Sequence, residues 1–587
     1  MPRLPGLPGS LGFMENAMKK LTFAALLILL VITFLPWLGM TSFNTKGEPR
    51  EAIVALSMVE TGEYILPVSM GADIPYKPPM LAWLIVGSSY LTGGVNEYAA
   101  RFPSAVATIA LAMGFALFVN RRKGASAAFF SAIVMVTSVE VWRAAMACRV
   151  DMVLTACMVG AMLTMQSRYV RRGVGGVSLW AVLLLSAAML TKGPVGVLLP
   201  CLVMIIYYMA RGERFWKSAL WLALTALLAV IIPAAWYVVA AERGGETFGK
   251  LVMEENFGRF TGTMSYDSHV NPWWYNFETV AAGMLPYTIL GFMALFVARY
   301  RRLSRLKFSG LRNKIAAMDA TDLFALTSII VIFLFYCIPA SKRSVYLLPI
   351  YPFLAYFTWM LMRRLGENYR RVLNGYGVLI GVIACLLTVG LLALPWLADA
   401  LPVRAAEMAT AIAGGDKFLY VALAVLPALG SVYIFRNCSR KAAPSAMILS
   451  TLETTLLIFW VVAGIILPPV LNAKSDRPVA DRLETLVPAD DIIYMYNPDP
   501  MLRYYTIGFY TGDRVRLLDT PAKGASATLA TDADKLPRRG VLITASKHLP
   551  EIKKRHPELR ITPLEDTRHR SCDTRDTILI ARFRHRR

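Results

Sequence analysis

Long apolar runs recur along most of this chain. Leu21–Leu38, Ala181–Leu190 and Ile329–Ile338 carry almost no charge, while Lys and Arg gather in short clusters between such runs. Roughly 20 apolar residues cross a hydrocarbon layer, and they must do so as a helix, because lipid offers the backbone no hydrogen-bond partner. The pattern predicts about thirteen spans. They fall near residues 21–39, 103–119, 125–141, 149–166, 176–190, 194–209, 218–239, 275–298, 322–339, 345–362, 374–396, 417–435 and 446–469.

Two connections between spans are long, residues 40–102 and 240–274; loops of that length are usually functional. The first begins with Glu48-Pro49-Arg50-Glu51 and has a stop at Gly62, which reads as a short helix. A second apolar stretch, Pro78 to Leu91, is too short for a span, and spanning there would invert the basic loops that follow. Both read as interfacial helices on the outer membrane surface. After Pro469 the period changes. Short β-rich runs (Ile492–Tyr496, Val515–Leu518, Gly540–Thr544, Thr577–Phe583) alternate with helical stretches Val479–Leu486 and Pro550–Arg555. The expected fold is thus an all-α polytopic membrane domain (21–470) after a short tail (1–20), with a small soluble α/β domain at 471–587.

Composition agrees: 56% of residues are hydrophobic and 17% charged, against about 25% charged in soluble proteins. The net charge of +23 would suit a nucleic-acid binder, but its placement excludes one. Starting from Lys19 and Lys20, every second loop is basic: Arg121 to Lys123, Arg168 to Arg172, Arg211 to Lys217, Arg299 to Lys314, Arg363 to Arg371, and Arg436 to Lys441. By the positive-inside rule these loops face the cytoplasm, as does the N-terminus. An odd number of spans then puts the C-terminal domain outside, in the periplasm of a bacterial inner-membrane protein. Leu21–Leu38 is too long for the apolar core of a signal peptide and reads as a retained span. Of the seven cysteines, Cys157, Cys201 and Cys385 fall within spans, and no disulfide framework or metal cluster is visible. No phosphate loop follows the C-terminal strands, and no internal repeat marks a transporter.

The chemistry-bearing residues all fall on the outer side of this topology. They are Glu48 and Arg50; Lys77 before Pro78-Pro79; Glu140 and Arg143; Arg149 and Asp151; Lys192 in Thr191-Lys192-Gly193; Glu254, Glu255 and Arg259; His269; Trp273-Trp274-Tyr275; and Lys342, Arg343 and Tyr346. Charges near a bilayer are costly unless they reach water or a partner, and they commonly mark substrate paths. Carboxylates converging with several cations suit a reaction on an anionic, lipid-linked substrate, the cations holding phosphate and a carboxylate positioning the nucleophile. Each residue also has a plainer reading. Lys77 and Lys192 can snorkel, Arg149 and Asp151 can be an ion pair at a helix end, and Glu48 can simply favour a helix dipole. The Trp-Trp-Tyr set suits an aromatic belt. His269 is the candidate ligand for a divalent metal; no cofactor is otherwise indicated.

The ordered motifs Glu48-x-Arg50, Lys77-Pro-Pro, Arg149-x-Asp151 and Thr191-Lys192-Gly193 resemble those of the GT-C glycosyltransferases. The closest resemblance is to the bacterial 4-amino-4-deoxy-L-arabinose lipid A transferases, relatives of the protein O-mannosyltransferases, and it covers about residues 20–365. It implies transfer of a sugar from an undecaprenyl-phosphate-linked donor to lipid A or a related acceptor at the periplasmic face. It further implies Glu48 and Asp151 as catalytic acids, and Lys77, Lys192, Arg259 and Lys342 as ligands of the donor phosphate. Arg50, Arg149, Arg343 and Tyr346 would support them. The family's first motif is Asp-Glu, whereas this chain has Gly47-Glu48, and Tyr76 stands where the family has an acid before the lysine. Either Glu48 takes over, or an acceptor that is already anionic needs no base there. Rival readings are a protein or glycan O-glycosyltransferase with the same donor, an anionic-lipid transporter, and a membrane anchor for the C-terminal domain.

Overall fold

The computed structural model describes residues 22–75, 77–258, 270–297, 317–439, 442–499, 502–519 and 536–586. The tail 1–20, Tyr76, Arg259, His269, and the basic stretch Arg299 to Lys314 lie outside the described residues.

Helices run through the first three quarters of the chain: α1 (Thr22–Trp37), α2 (Gly47–Thr61), α3 (Met80–Thr92), α4 (Glu97–Lys123), α5 (Ala125–Val136), α6 (Val139–Ala145), α7 (Val150–Arg172), α8 (Leu179–Lys192), α9 (Val195–Ala210), α10 (Phe215–Met253), α11 (Tyr275–Gly283), α12 (Tyr287–Val297), α13 (Ala320–Cys337), α14 (Tyr351–Asn368) and α15 (Arg370–Leu397). After them come α16 (Val403–Ala413), α17 (Lys417–Ser439) and α18 (Pro444–Val461). Among the described residues eight helices are long and apolar enough to cross a membrane, or up to ten if the bent pairs α5–α6 and α11–α12 each count as one. The other three predicted spans fall on the shorter apolar helices α1, α8 and α9. Leucine and isoleucine side chains such as Leu220, Leu227 and Ile231 on α10 face outward, as a lipid-facing surface requires. This is a multi-pass membrane protein.

Local chemistry sets the helix ends. Asn96 caps α4 by accepting from the Ala99 N–H (2.9 Å) and Glu97 sits in its first turn, while Arg121, Arg122 and Lys123 occupy the last. This cap starts α4 six residues before the predicted span, in a segment too polar to read as membrane. The helices α2 and α3 stand in the first long loop as expected. The α2 helix is packed on two sides along most of its length, however, and only its last turn is exposed. Ala52, Ala55 and Met58 pack with Leu81 and Ile85 of α3, while Ile53 joins the core of the C-terminal part.

The C-terminal part begins with α19 (Arg477–Leu486) and contains α20 (Tyr505–Tyr510), α21 (Leu549–Arg555) and strands β1 (Ile493–Met495), β2 (Val515–Leu517), β3 (Arg539–Ala545), β4 (Leu559–Arg570) and β5 (Thr577–His585). The sheet order is β2-β1-β3-β5-β4, with β1 parallel to β2 and β3, and β5 antiparallel to β3 and β4. The sequence pattern missed β4. It is an edge strand carrying Pro563, Glu565, Asp566, Arg568 and a register shift, features that guard an exposed edge and erase the alternation by which strands are read.

Candidate active site

The start of α2 places two carboxylates on different sides. Glu48 turns inward and is buried: Oε1 accepts from Arg101 Nε (2.8 Å) and the Cys148 N–H (2.9 Å), and Oε2 accepts from Arg101 Nη2 (3.2 Å). Arg101, only 1% exposed, also donates through Nη1 to the carbonyls of Leu38 (2.8 Å) and Thr41 (2.6 Å). Glu48 therefore ties α2 to α4 and to the turn before α7, and does not line the cleft. The carboxylate at the cleft is Glu51, which accepts from Lys77 Nζ at 2.5 Å, with Arg50 Nη2 at 3.4 Å. This cleft, about 600 Å³ with its open mouth, is lined by Arg50, Glu51, Asp73, Lys77, Trp236 and Tyr505.

A second pair stands where α7 begins and α8 ends: Lys192 Nζ donates to Asp151 Oδ1 at 2.6 Å and lies 4.3 Å from the Tyr346 ring centroid. Asp151 and Lys192 lie close enough to Lys77 for their charges to act on it. Beside these pairs are two cations of another kind. Arg149 and Arg343 repel one another, and neither guanidinium makes a hydrogen bond or an ion pair among the described residues. Arg149 lies against Gly47; a Cβ at 47 would come within 2.7 Å of Arg149 Cζ. The space an acidic side chain at 47 would fill is thus held by a guanidinium, and the nearest acid on that side of α2 is Glu51, one turn on.

One further expectation changes. Lys342 is 5% exposed, and its Nζ donates to the carbonyls of Pro339 (2.7 Å) and Asn271 (3.3 Å), so its ammonium is turned into the protein and fastens the turn before Tyr346. Arg143 pairs with Glu140 (2.6 Å) within α6. Arg259 and His269 lie outside the described residues. Among the described residues the only group with metal-ligand spacing is Asp476, Cys572 and Asp573. It lies in the C-terminal part, and its carboxylates already accept hydrogen bonds from Ser571, His569 and Thr506.

Burial pushes the Lys77 ammonium down to about 8, against the opposing pull of Glu51. Burial would raise the Glu51 carboxyl, but Lys77 and Arg50 outweigh it and hold the group below its ordinary range. Glu51 is therefore a firm anion and a weak base. It can position a cation but has little tendency to take a proton from a hydroxyl.

The C-terminal part completes this site. Arg503 clasps Asp73 through Nε (2.9 Å) and Nη2 (3.2 Å), and Asp513 accepts from the Met70 N–H (2.6 Å) and Ser57 Oγ (3.0 Å). Both partners grip the segment that leads into Lys77, and Tyr505 lines the cleft. Sequence reasoning missed Glu51, Arg101, Asp73, Arg503 and Asp513. A charge inside the apolar start of α4 could have flagged Arg101, and Glu51 was legible as the acid one turn after Gly47. Asp73 and Arg503 are 430 residues apart and carry no local signal.

Comparison with known proteins follows the same lines. The family described as dolichyl-phosphate-mannose-protein mannosyltransferase matches residues 76–237. An uncharacterized protein of Aquifex aeolicus is 26% identical over 376 residues, covering 64% of this chain and 70% of that protein. The undecaprenyl phosphate-alpha-4-amino-4-deoxy-L-arabinose arabinosyl transferase 2 of Proteus mirabilis is 25% identical over 387 residues, covering 63% of this chain and 65% of that protein, so about a third of the latter is unmatched. Among solved structures, ArnT from Cupriavidus metallidurans bound to undecaprenyl phosphate superposes with a TM-score of 0.67 at 20% identity, covering 96% of this chain and 98% of that one, which fixes the shared fold. The chain thus has the GT-C fold of a membrane glycosyltransferase, and it is similar in sequence to transferases named for an undecaprenyl-phosphate-linked sugar.

Proposed function

We propose that this GT-C glycosyltransferase transfers a sugar, 4-amino-4-deoxy-L-arabinose, from undecaprenyl phosphate to a phosphate of lipid A at the periplasmic face of the bacterial inner membrane. The observation that carries the reading is the pair of guanidiniums, Arg149 and Arg343, which make no hydrogen bond or ion pair among the described residues, Arg149 standing within electrostatic reach of Asp151, the partner of Lys192. Two cations that repel one another are stable together when an anion joins them, and a guanidinium matches a phosphate through paired N–H donors. In the reaction an acceptor oxygen bonds to the sugar C1, the C1–O bond to the donor phosphate breaks, and polyprenyl phosphate leaves with an added negative charge. Arg149, Arg343 and Lys77 stabilise that charge as it develops. Glu51 and Asp151 hold Lys77 and Lys192 in place.

The acceptor reading rests on Glu51. A carboxylate held below its ordinary range is a poor base for a hydroxyl acceptor, whereas a phosphate acceptor is already ionised at neutral pH. The relatives' names support the sugar. The predicted N-terminus in the cytoplasm, the periplasmic C-terminal domain and the boundary near residue 470 belong to this same reading. Mass spectrometry of lipid A from cells with and without the gene tests it. A pentosamine-sized mass should be present only with the gene, and should be lost on joint Arg149→Gln and Arg343→Gln substitution. Unchanged lipid A in expressing cells, with the missing sugar found on proteins or other glycans, would overturn the acceptor and favour an O-glycosyltransferase.

A further inference from the structure

The helices that carry the site end at a second feature, on the opposite side of the protein. From Asp151 to Arg171, α7 covers about 30 Å at 1.5 Å per residue, and α4 runs the same way from Arg101 to Arg121. Between these far ends and the start of α8 lies a groove of about 960 Å³ with its open mouth. Four arginines line it, Arg121, Arg168, Arg171 and Arg172, with no carboxylate among the lining residues. Its apolar wall includes Leu117, 44% exposed, and Trp180, 70% exposed.

The four arginines are not equivalent. Arg168 is committed to the loop before α8, donating to the carbonyls of Gly176 (3.1 Å) and Gly175 (2.5 Å), and Arg171 donates to the Ser167 carbonyl (3.1 Å). Arg122, next to the groove, is saturated by Gln166 (2.7 Å), Ser167 (3.2 Å) and the Phe118 carbonyl (3.0 Å). Arg121 and Arg172 make no hydrogen bond or ion pair among the described residues. A concave site with an excess of positive charge, at the depth where spans leave the bilayer and beside an exposed Trp, matches a lipid phosphate with its chains alongside.

We propose that this groove binds the headgroup of an anionic diacyl phospholipid from the leaflet opposite the active site. Arg121 and Arg172 hold its phosphate, and an acyl chain lies along Leu117 and Trp180. Charge complementarity selects the anionic headgroup, and the exposed apolar wall selects a lipid over free phosphate.

The test uses the full chain in nanodiscs of phosphatidylcholine with phosphatidylglycerol, followed by detergent exchange and mass spectrometry of the retained lipid. The wild type should retain phosphatidylglycerol selectively. The paired substitution Arg121→Gln and Arg172→Gln should reduce retention by about tenfold or more, the loss expected for charge-assisted contacts to a phosphate. Arg121→Lys with Arg172→Lys should keep most of it, and sugar transfer at the far end should continue in both. Equal retention by the wild type and the Gln pair overturns the proposal. So does recovery of polyprenyl phosphate in place of the diacyl lipid. If the Gln pair does not fold, soluble dihexanoyl phosphatidylglycerol added to the wild type decides: it should displace the retained lipid, and failure to do so overturns the site.

Discussion

Replacing Glu48 and Glu51 separately by Gln should give two different kinds of defect. Glu48 and Arg101 form a buried pair, with side chains 8% and 2% exposed. In Glu48→Gln the amide oxygen can keep the two hydrogen bonds made to Oε1, but the NH2 that replaces Oε2 then faces Arg101 Nη2. The Arg101 charge is left with only neutral oxygens, that amide and those of Leu38 and Thr41. Removing one partner of such a pair costs about 3–5 kcal/mol, which is a large part of the stability of an ordinary domain. The expected result is a lower unfolding temperature and a lower yield, with activity falling because less protein is folded. Glu51→Gln leaves Lys77 at the cleft, where it is 17% exposed and can reach solvent or donor. Its cost to stability should be about 1–2 kcal/mol, while a misplaced Lys77 should slow transfer about 10²-fold. Thermal unfolding in detergent, read by tryptophan fluorescence, and transfer rate per folded molecule separate the two. A Glu48→Gln protein that unfolds like the wild type yet transfers nothing would refute the anchoring role and restore Glu48 as a chemical group.

Three other outcomes are expected. The ordinary lysine value of 10.5 falls to about 8 at Lys77, so its charge is present below that pH and lost above it; kcat/KM for the donor, which reports the free enzyme, should fall above pH 8, and Lys77→Arg should move that limb upward. An unchanged limb would assign it to another group. Breaking the Arg503–Asp73 clasp by Arg503→Met should raise the donor KM more than it lowers kcat, because the Lys77 segment loosens, and Arg503→Lys should recover part of the effect; an unchanged KM would show that the clasp does not position the segment. Asp573 is raised by burial and by the charge of Asp476, so the folded state binds more protons than the unfolded one and stability falls as pH rises from about 4 towards 7. Asp573→Asn should flatten that loss, as unfolding temperatures at pH 5 and pH 8 would show, and a wild-type slope in the variant would contradict it.

The sequence by itself determined the membrane character, the places of the helices and most of the C-terminal strands. Each of these follows from a local period: about 20 apolar residues per span, basic clusters in alternate loops, short β-branched runs after Pro469. It also determined which stretches meet, since Arg149, Asp151, Lys192 and Lys77 do converge. Tertiary structure alone decided what each charged group does there. Glu48 and Glu51 are three residues apart on one helix, yet one meets Arg101 and is consumed by it while the other meets Lys77 at a cleft. Lys342 and Arg343 are adjacent, yet the Lys342 ammonium is taken up by two carbonyls while the Arg343 guanidinium makes no hydrogen bond or ion pair among the described residues. The role of the C-terminal part in holding the Lys77 segment was likewise invisible, because Arg503 and Asp513 come from a region whose own pattern describes only its own sheet. A charge in a sequence carries its sign and its place along the element. Which partner neutralises it, and so whether it is free to bind substrate, depends on what packing brings across from elsewhere in the chain.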